Sequence, residues 1–227
     1  SGGRAIVICP ATLKINWSNE VGKWRPDLSP VICKGRKGFK LPKANEVVII
    51  NFDILPQELT PTDKWGEEST NVPQAWREVL EQTTLIVDEA HNCKSHKAMR
   101  SKRTKVLSNL CKKSWAMTGT PLLSKGFDLW GVVSTFGMGR TVFGGFNGFV
   151  RSMNAHKNYY GGWEFGTPDP SVPEKLRRVM LRRTKSEVLT NLPPKTYQDV
   201  LVDVSSKRLL KMSDKMLEAM KAHGSDN

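Results

Sequence analysis

The chain has 227 residues, with 35 Lys and Arg against 22 Asp and Glu, a formal net charge of +13. A content of 38% hydrophobic and 8% aromatic residues is ordinary globular composition and excludes a disordered basic tail. No uninterrupted apolar stretch nears the roughly 18 residues of a membrane span, and Ser1-Gly2-Gly3-Arg4 leads into an apolar run too short for a secretory signal. The four cysteines, at positions 9, 33, 93 and 111, form no CxxC pair. Reduced, partly buried thiols are expected, as in a cytoplasmic or nuclear protein that is not secreted and meets no membrane. Cys93 and His96 have the spacing of half a zinc site without a second half, so no metal is expected there. The positive surplus favours a polyanionic partner.

Along the chain, Ala5-Ile6-Val7-Ile8-Cys9 is a continuous apolar run, the pattern of a strand covered on both faces. Pro10 ends it, and Thr12 is placed to cap a helix whose Leu13, Trp17, Val21 and Trp24 share one face. Both tryptophans are read as core on that ground, and Pro26 closes the helix. Further strands are expected at 46–51, 84–88, more weakly at 114–117, and late at 199–203. Helices are expected at 73–81, 98–111, 125–135 and 172–183. Buried strands alternating with helices predict an α/β sandwich around a mostly parallel sheet. From 126 to 170 the chain is rich in Gly and aromatics, as in Phe143-Gly144-Gly145-Phe146 and Tyr159-Tyr160-Gly161-Gly162-Trp163. That region is read as a helical excursion with irregular turns, not as further sheet. The aromatics would mostly pack this excursion, though stacking on exposed bases is the alternative. The tail, 205–227, reads as a solvent-facing helix that frays at its end.

Two strand ends carry the chemistry. Leu85-Ile86-Val87-Asp88-Glu89-Ala90-His91 delivers adjacent carboxylates to the C-terminal end of a buried strand, where α/β sheets bind ligands. In P-loop NTPases such a strand supplies the acid that holds Mg²⁺, and a neighbouring glutamate can activate water. Two adjacent carboxylates repel unless a cation neutralises them. The bland alternative is an acidic strand end that caps the next turn. Ala116-Met117-Thr118-Gly119-Thr120-Pro121 follows on another strand, its hydroxyls able to lie beside Asp88 and Glu89, although Gly-Thr-Pro would also make a simple turn.

Taken in order, these motifs resemble the Swi/Snf-type branch of superfamily 2 helicases and DNA translocases. Ile8 to Leu13, with Asn16-Trp17, Glu20 and Lys23-Trp24, looks like motif Ia and its helix; Ile50-Asn51-Phe52-Asp53-Ile54-Leu55 looks like motif Ib. Asp88 to His91 is similar to motif II and Thr118 to Pro121 to motif III, while Met180 to Leu189 with Leu192-Pro193-Pro194-Lys195 resembles the signature near the end of the first lobe. Gly162-Trp163-Glu164-Phe165 is most similar to the annealing-helicase side of the branch. The resemblance implies a RecA-like three-layer sandwich with a helical protrusion. It implies a lobe core at 1–125, the protrusion and end of the lobe at 126–195, and a closing strand leading to a second lobe at 196–227. Asp88 would then be the Mg²⁺-side carboxylate and Glu89 the catalytic base, with His91, Thr118, Gly119 and Thr120 coupling ATP to DNA. Thr12, Lys14 and Asn51 would track DNA phosphates, as a threonine at a helix N-terminus suits.

No G-x-x-x-x-G-K-[ST] string occurs; the single Gly-Lys pair, Gly22-Lys23, is followed by Trp24. In the family that loop precedes motif Ia, so a first lobe truncated after the loop and lacking the second lobe is expected, inactive alone. The parent would use Mg-ATP and bind double-stranded DNA. The alternative is a non-catalytic DNA-binding or protein-interaction module. Between Ala90 and Phe127 there is no acid but nine Lys and Arg, among them Lys97, Arg100 and Arg103, and a second cluster holds Arg182 and Arg183. Each of these cations alone suits a solvated face; as a set they are read as DNA-facing.

Overall fold

In the computed structural model, described for residues 3–35, 38–63, 68–120, 126–183, 185–188 and 196–198, four apolar strands and one half-polar strand form a single parallel sheet. They are β1 (Ala5–Ile8), β2 (Ser29–Ile32), β3 (Glu46–Ile50), β4 (Thr84–Val87) and β5 (Lys113–Ala116), in the order β2-β3-β1-β4-β5. Alternation splits β1, β2, β3 and β4 between two cores, while β5 contributes to neither. Ile6, Ile8, Val48, Ile50, Leu85 and Val87 face α2 (Gln74–Leu80) and α3 (Met99–Leu110), meeting Leu80, Val106 and Leu107. Val7, Cys9, Val47 and Ile49 face α1 (Lys14–Trp24), meeting Leu13, Trp17 and Val21. A sheet apolar on both faces needs helices on both, which gives the expected three-layer RecA-like sandwich.

Register decides where the site lies. Ile8 is level with Ile50 on one side and Val87 on the other, and Val87 is level with Ala116. Cys9, Asn51, Asp88 and Met117 therefore follow four adjacent strands at one rim of the sheet. Three of these residues are stitched across: Cys9 N–H donates to Ile50 O (3.0 Å), Asp88 N–H to Ile8 O (2.8 Å) and Met117 N–H to Val87 O (2.8 Å).

Several expectations need correction. Thr12 does not cap α1; it lies in a 3₁₀ turn, Ala11–Leu13, and Leu13 occupies the cap position with no side-chain bond. Trp24 is 69% exposed, because α1 runs past the edge of the apolar surface that holds Trp17 and Val21. The strand β2 was not expected, since Ser29-Pro30 reads as a breaker. It forms at the sheet edge, where the missing proline N–H costs nothing when it faces away from the neighbour. The helix expected at 172–183 stops early, as α7 (Val172–Arg177). The strand expected at 199–203 and the helix at 205–227 lie outside the described residues.

The 126–170 region begins with three helices, α4 (Gly126–Thr135), α5 (Met138–Phe143) and α6 (Phe146–Ser152). It then makes a small antiparallel sheet of its own, β6 (Ala155–Lys157) with β7 (Trp163–Phe165), where only helices and turns were expected. Phe127, Trp130, Phe143, Phe149 and Phe165 build its aromatic core, Phe127 meeting Phe165 edge-on at 4.8 Å, with the exposed Trp163 edge-on to Phe127 at the margin. Ser1–Arg182 make one compact unit; beyond it a short helix, α8 (Lys185–Val188), is described by itself.

Candidate nucleotide and nucleic-acid site

The rim begins at Asp88, the first residue after β4, half-buried. Its Oδ2 accepts the indole N–H of Trp17 at 2.9 Å, and its Oδ1 accepts the backbone N–H of Glu89 at 2.8 Å. Trp17 packs its ring on the sheet while its polar edge reaches the carboxylate, the usual compromise of a buried tryptophan. The sequence reading took Trp17 for core and missed this contact. Beside it, burial and then the Asp88 charge push the Cys9 thiol up to about 11, with Lys14 pulling the other way.

Glu89 has φ +49° and ψ +49°, left-handed backbone that a residue with a side chain adopts at a cost of about 1–3 kcal/mol. Neighbours hold it there. Ala90 N–H donates to Met117 O on the adjacent strand (2.9 Å), and the Asn92 amide donates to Glu89 O (2.9 Å). The turn swings the Glu89 carboxylate onto His91, whose Nδ1 lies 3.0 Å from Glu89 Oε2 and 3.2 Å from Thr118 Oγ1. A carboxylate only accepts, so the ring proton sits on Nδ1 and is shared between the two oxygens. Thr118 Oγ1 also accepts the Thr120 N–H at 3.2 Å. Motifs on two neighbouring strands thus form one chain of contacts from Glu89 through His91 to Thr118 and Thr120. Gly119 is exposed, and a Cβ there would meet nothing within 4 Å.

Further along the rim, Lys14 Nζ donates to Cys33 O (2.9 Å) and to Asn51 Oδ1 (3.1 Å). Asn51 is only 7% exposed, whereas Thr12 is exposed. Among the described residues no three His, Cys, Asp or Glu side chains gather as a metal cage.

The SNF2-related domain model matches residues 3–223. The chain belongs to the SNF2-related domain family. The Swi/Snf-type resemblance is thereby borne out. The human DNA annealing helicase and endonuclease ZRANB3 is 27% identical over 211 residues, covering 88% of this chain and 18% of that protein. The Xenopus laevis SWI/SNF-related matrix-associated actin-dependent regulator of chromatin subfamily A-like protein 1 is 28% identical over 205 residues, covering 87% and 19%. The solved Sulfolobus solfataricus SWI2/SNF2 ATPase core in complex with dsDNA matches with a TM-score of 0.53 at 25% identity, over 84% of this chain and 36% of that one. This SNF2-related domain spans under a fifth of the length of the two relatives.

The basic residues of the SNF2-related domain do not share one setting. Lys97 and Arg100 are exposed at the start of α3, and Arg182 and Arg183 are exposed as well. Arg103 is half-buried and donates to Leu55 O (3.0 Å) and Thr60 Oγ1 (3.1 Å), bracing the turns that follow β3. His96 reports the local field: partial burial of the ring, then Lys97, Lys102 and Lys105, hold its pKa below the usual value. No helix of the described residues is long and apolar enough to cross a membrane.

Proposed function

We propose that this chain holds the hydrolytic carboxylates of a DNA translocase's first lobe, and that the longer protein hydrolyses Mg-ATP while bound to double-stranded DNA. The observation that carries the reading is the Asp88, Glu89, His91 and Thr118 arrangement at the C-terminal rim of a parallel sheet. Asp88 suits magnesium. Each of its oxygens takes one N–H and keeps a second lone pair, and no Lys or Arg among the described residues forms an ion pair with it. Magnesium commonly uses only one or two protein carboxylates beside phosphate oxygens and water. Its contribution would be neutralisation of phosphate charge.

Glu89 would orient and deprotonate the attacking water, and His91 holds its carboxylate from the side of Thr118. Any shift of the Thr118–Thr120 loop on ligand binding would loosen or tighten that hold, which is a physical route from DNA contact to hydrolysis. Thr12, Lys14 and Asn51 at the rim, with exposed Lys97, Arg100, Arg182 and Arg183, are the proposed phosphate contacts; Arg103 offers only what its two structural bonds leave free. The phosphate-cradling loop and the cationic groups of a second lobe would come from outside these residues, so the chain alone is expected to turn over no ATP. The Gly162-Trp163-Glu164-Phe165 string, with a DNA annealing helicase among the chain's relatives, supports the annealing-helicase branch.

In a protein carrying the phosphate loop and both lobes, duplex DNA should stimulate ATP hydrolysis. Glu89→Gln should lower kcat by about 100-fold or more, with nucleotide binding retained. DNA-stimulated turnover that survives the substitution removes Glu89 from the role. A second reading, a non-catalytic DNA-binding or protein-interaction module, is favoured by the lack of a phosphate-loop string in the chain. It predicts salt-sensitive duplex binding and no nucleotide binding in the longer protein.

A further inference from the structure

The β6–β7 hairpin ends in two tyrosines that nothing in the nucleotide site uses. Tyr159 is 96% exposed and Tyr160 91%, and their rings meet edge-to-face at 5.4 Å. Two adjoining aromatic rings in water on a loop tip offer their faces to a partner.

The tip is not a loose loop. Asn158 N–H donates to Gly162 O (2.8 Å), Gly161 N–H to Asn158 O (3.0 Å), and Gly162 N–H to the Asn158 side-chain oxygen (2.8 Å). The Asn158 amide then donates to Glu164 Oε1 (3.0 Å), and Gly161 supplies the positive φ, +76°, that closes the turn. At its root the hairpin is anchored by Phe165, paired with Ala155, and next to the turn by Trp163, both edge-on to Phe127; Phe165 also fills the space a Cβ at Gly126 would need. Both ends of the hairpin are fixed, so the two rings are presented at a defined place rather than swept through solvent.

The surroundings narrow the partner. A protein hot spot needs a rim of contacts that excludes water. Here the flanking residues are Asn158, Gly161 and Gly162, which offer no such rim. A nucleobase needs only a ring face of its own size. Lys157, whose Nζ lies 5.9 Å from the Trp163 ring, sits beside the tip and adds a cation suited to a phosphate. His156 on the same strand lies 3.6 Å from Glu164, and Lys157 takes part in none of the ion pairs seen among the described residues.

We propose that the Tyr159–Tyr160 tip is a stacking site for unpaired or terminal bases of a nucleic-acid strand. In continuous duplex every base face is covered by its neighbours, so the tip would discriminate single strands, ends and junctions from uninterrupted duplex. The inference rests on the DNA-binding reading above and deepens it: the basic residues bind any duplex through phosphates, while the hairpin selects where strands are open.

The test uses the full chain and two probes, a labelled single-stranded deoxyoligonucleotide and a covalently closed circular duplex without ends. Tyr159→Ala with Tyr160→Ala should weaken the single strand by about ten-fold or more and leave the circle unchanged. Tyr159→Phe with Tyr160→Phe should behave as wild type on both, since stacking needs the ring and not the hydroxyl. Unchanged single-strand affinity in the alanine pair overturns the proposal while duplex binding by the wild type keeps the DNA-binding reading intact. Equal loss on both probes, or loss in the phenylalanine pair, also overturns it. If the wild type binds neither probe, both readings fall together.

Discussion

At the scale of single residues, the rim shows how a side chain can serve core and site at once. Trp17 was legible in the sequence as apolar, one turn from Leu13 and Val21. Its bond to Asp88, 71 positions away, was not, because an indole N–H leaves no trace in hydrophobic periodicity. Trp17→Phe keeps an aromatic ring, smaller than the indole, and removes the donor, so the Asp88 carboxylate loses one of its two N–H partners. A double-mutant cycle with Asp88→Ala, which removes the acceptor, read by urea unfolding, should show a coupling of about 1.5–3 kcal/mol, the usual net value of a hydrogen bond to a charged group. Strictly additive effects would mean the contact contributes nothing. The backbone of Glu89 is a second example: Asp-Glu-Ala-His told of two carboxylates, yet the left-handed turn that sends Glu89 toward His91 depends on Met117 O across the sheet.

At the scale of elements, close approach explains how the 126–170 region is joined to the motif II segment. A Cβ at Gly131 would lie 1.8 Å from the carbonyl oxygen of Lys94, so α4 crosses the segment just after His91 with backbone nearly touching backbone. Gly131→Ala must push that carbonyl or the helix aside, at about 1–3 kcal/mol. The expected result is a lower urea midpoint with little change in helical content; an unchanged midpoint would show that α4 can ride outward freely. Legibility of strands in the sequence is highest where both faces are covered, as in β1, β3 and β4, because each is an unbroken apolar run. It is weaker for β5 and fails for β2 and the hairpin strands, because edges and small ribbons carry polar residues and, at Pro30, a residue that argues against strand.

At the scale of the whole molecule, the net charge of +13 becomes a surface question, since exposed Lys97, Arg100, Arg182 and Arg183 are free to meet phosphates and Arg103 is committed to the fold. Duplex binding by the chain should weaken with salt at a slope of about −0.9 per phosphate neutralised. Lys97→Gln with Arg100→Gln should flatten that slope by nearly two such steps, whereas Arg103→Gln should mainly lower stability. A slope that ignores the first pair would remove α3 from the interface. By itself the sequence determined the fold class, the order of the motifs and the place of two adjacent carboxylates at a buried strand's end, because buried parallel strands and their polar ends are local patterns of period and composition. Only the tertiary structure decided which side chains meet: Trp17 with Asp88, His91 with both Glu89 and Thr118, Lys14 with Asn51. Those pairs are set by strand order and register, and neither can be read from one strand at a time.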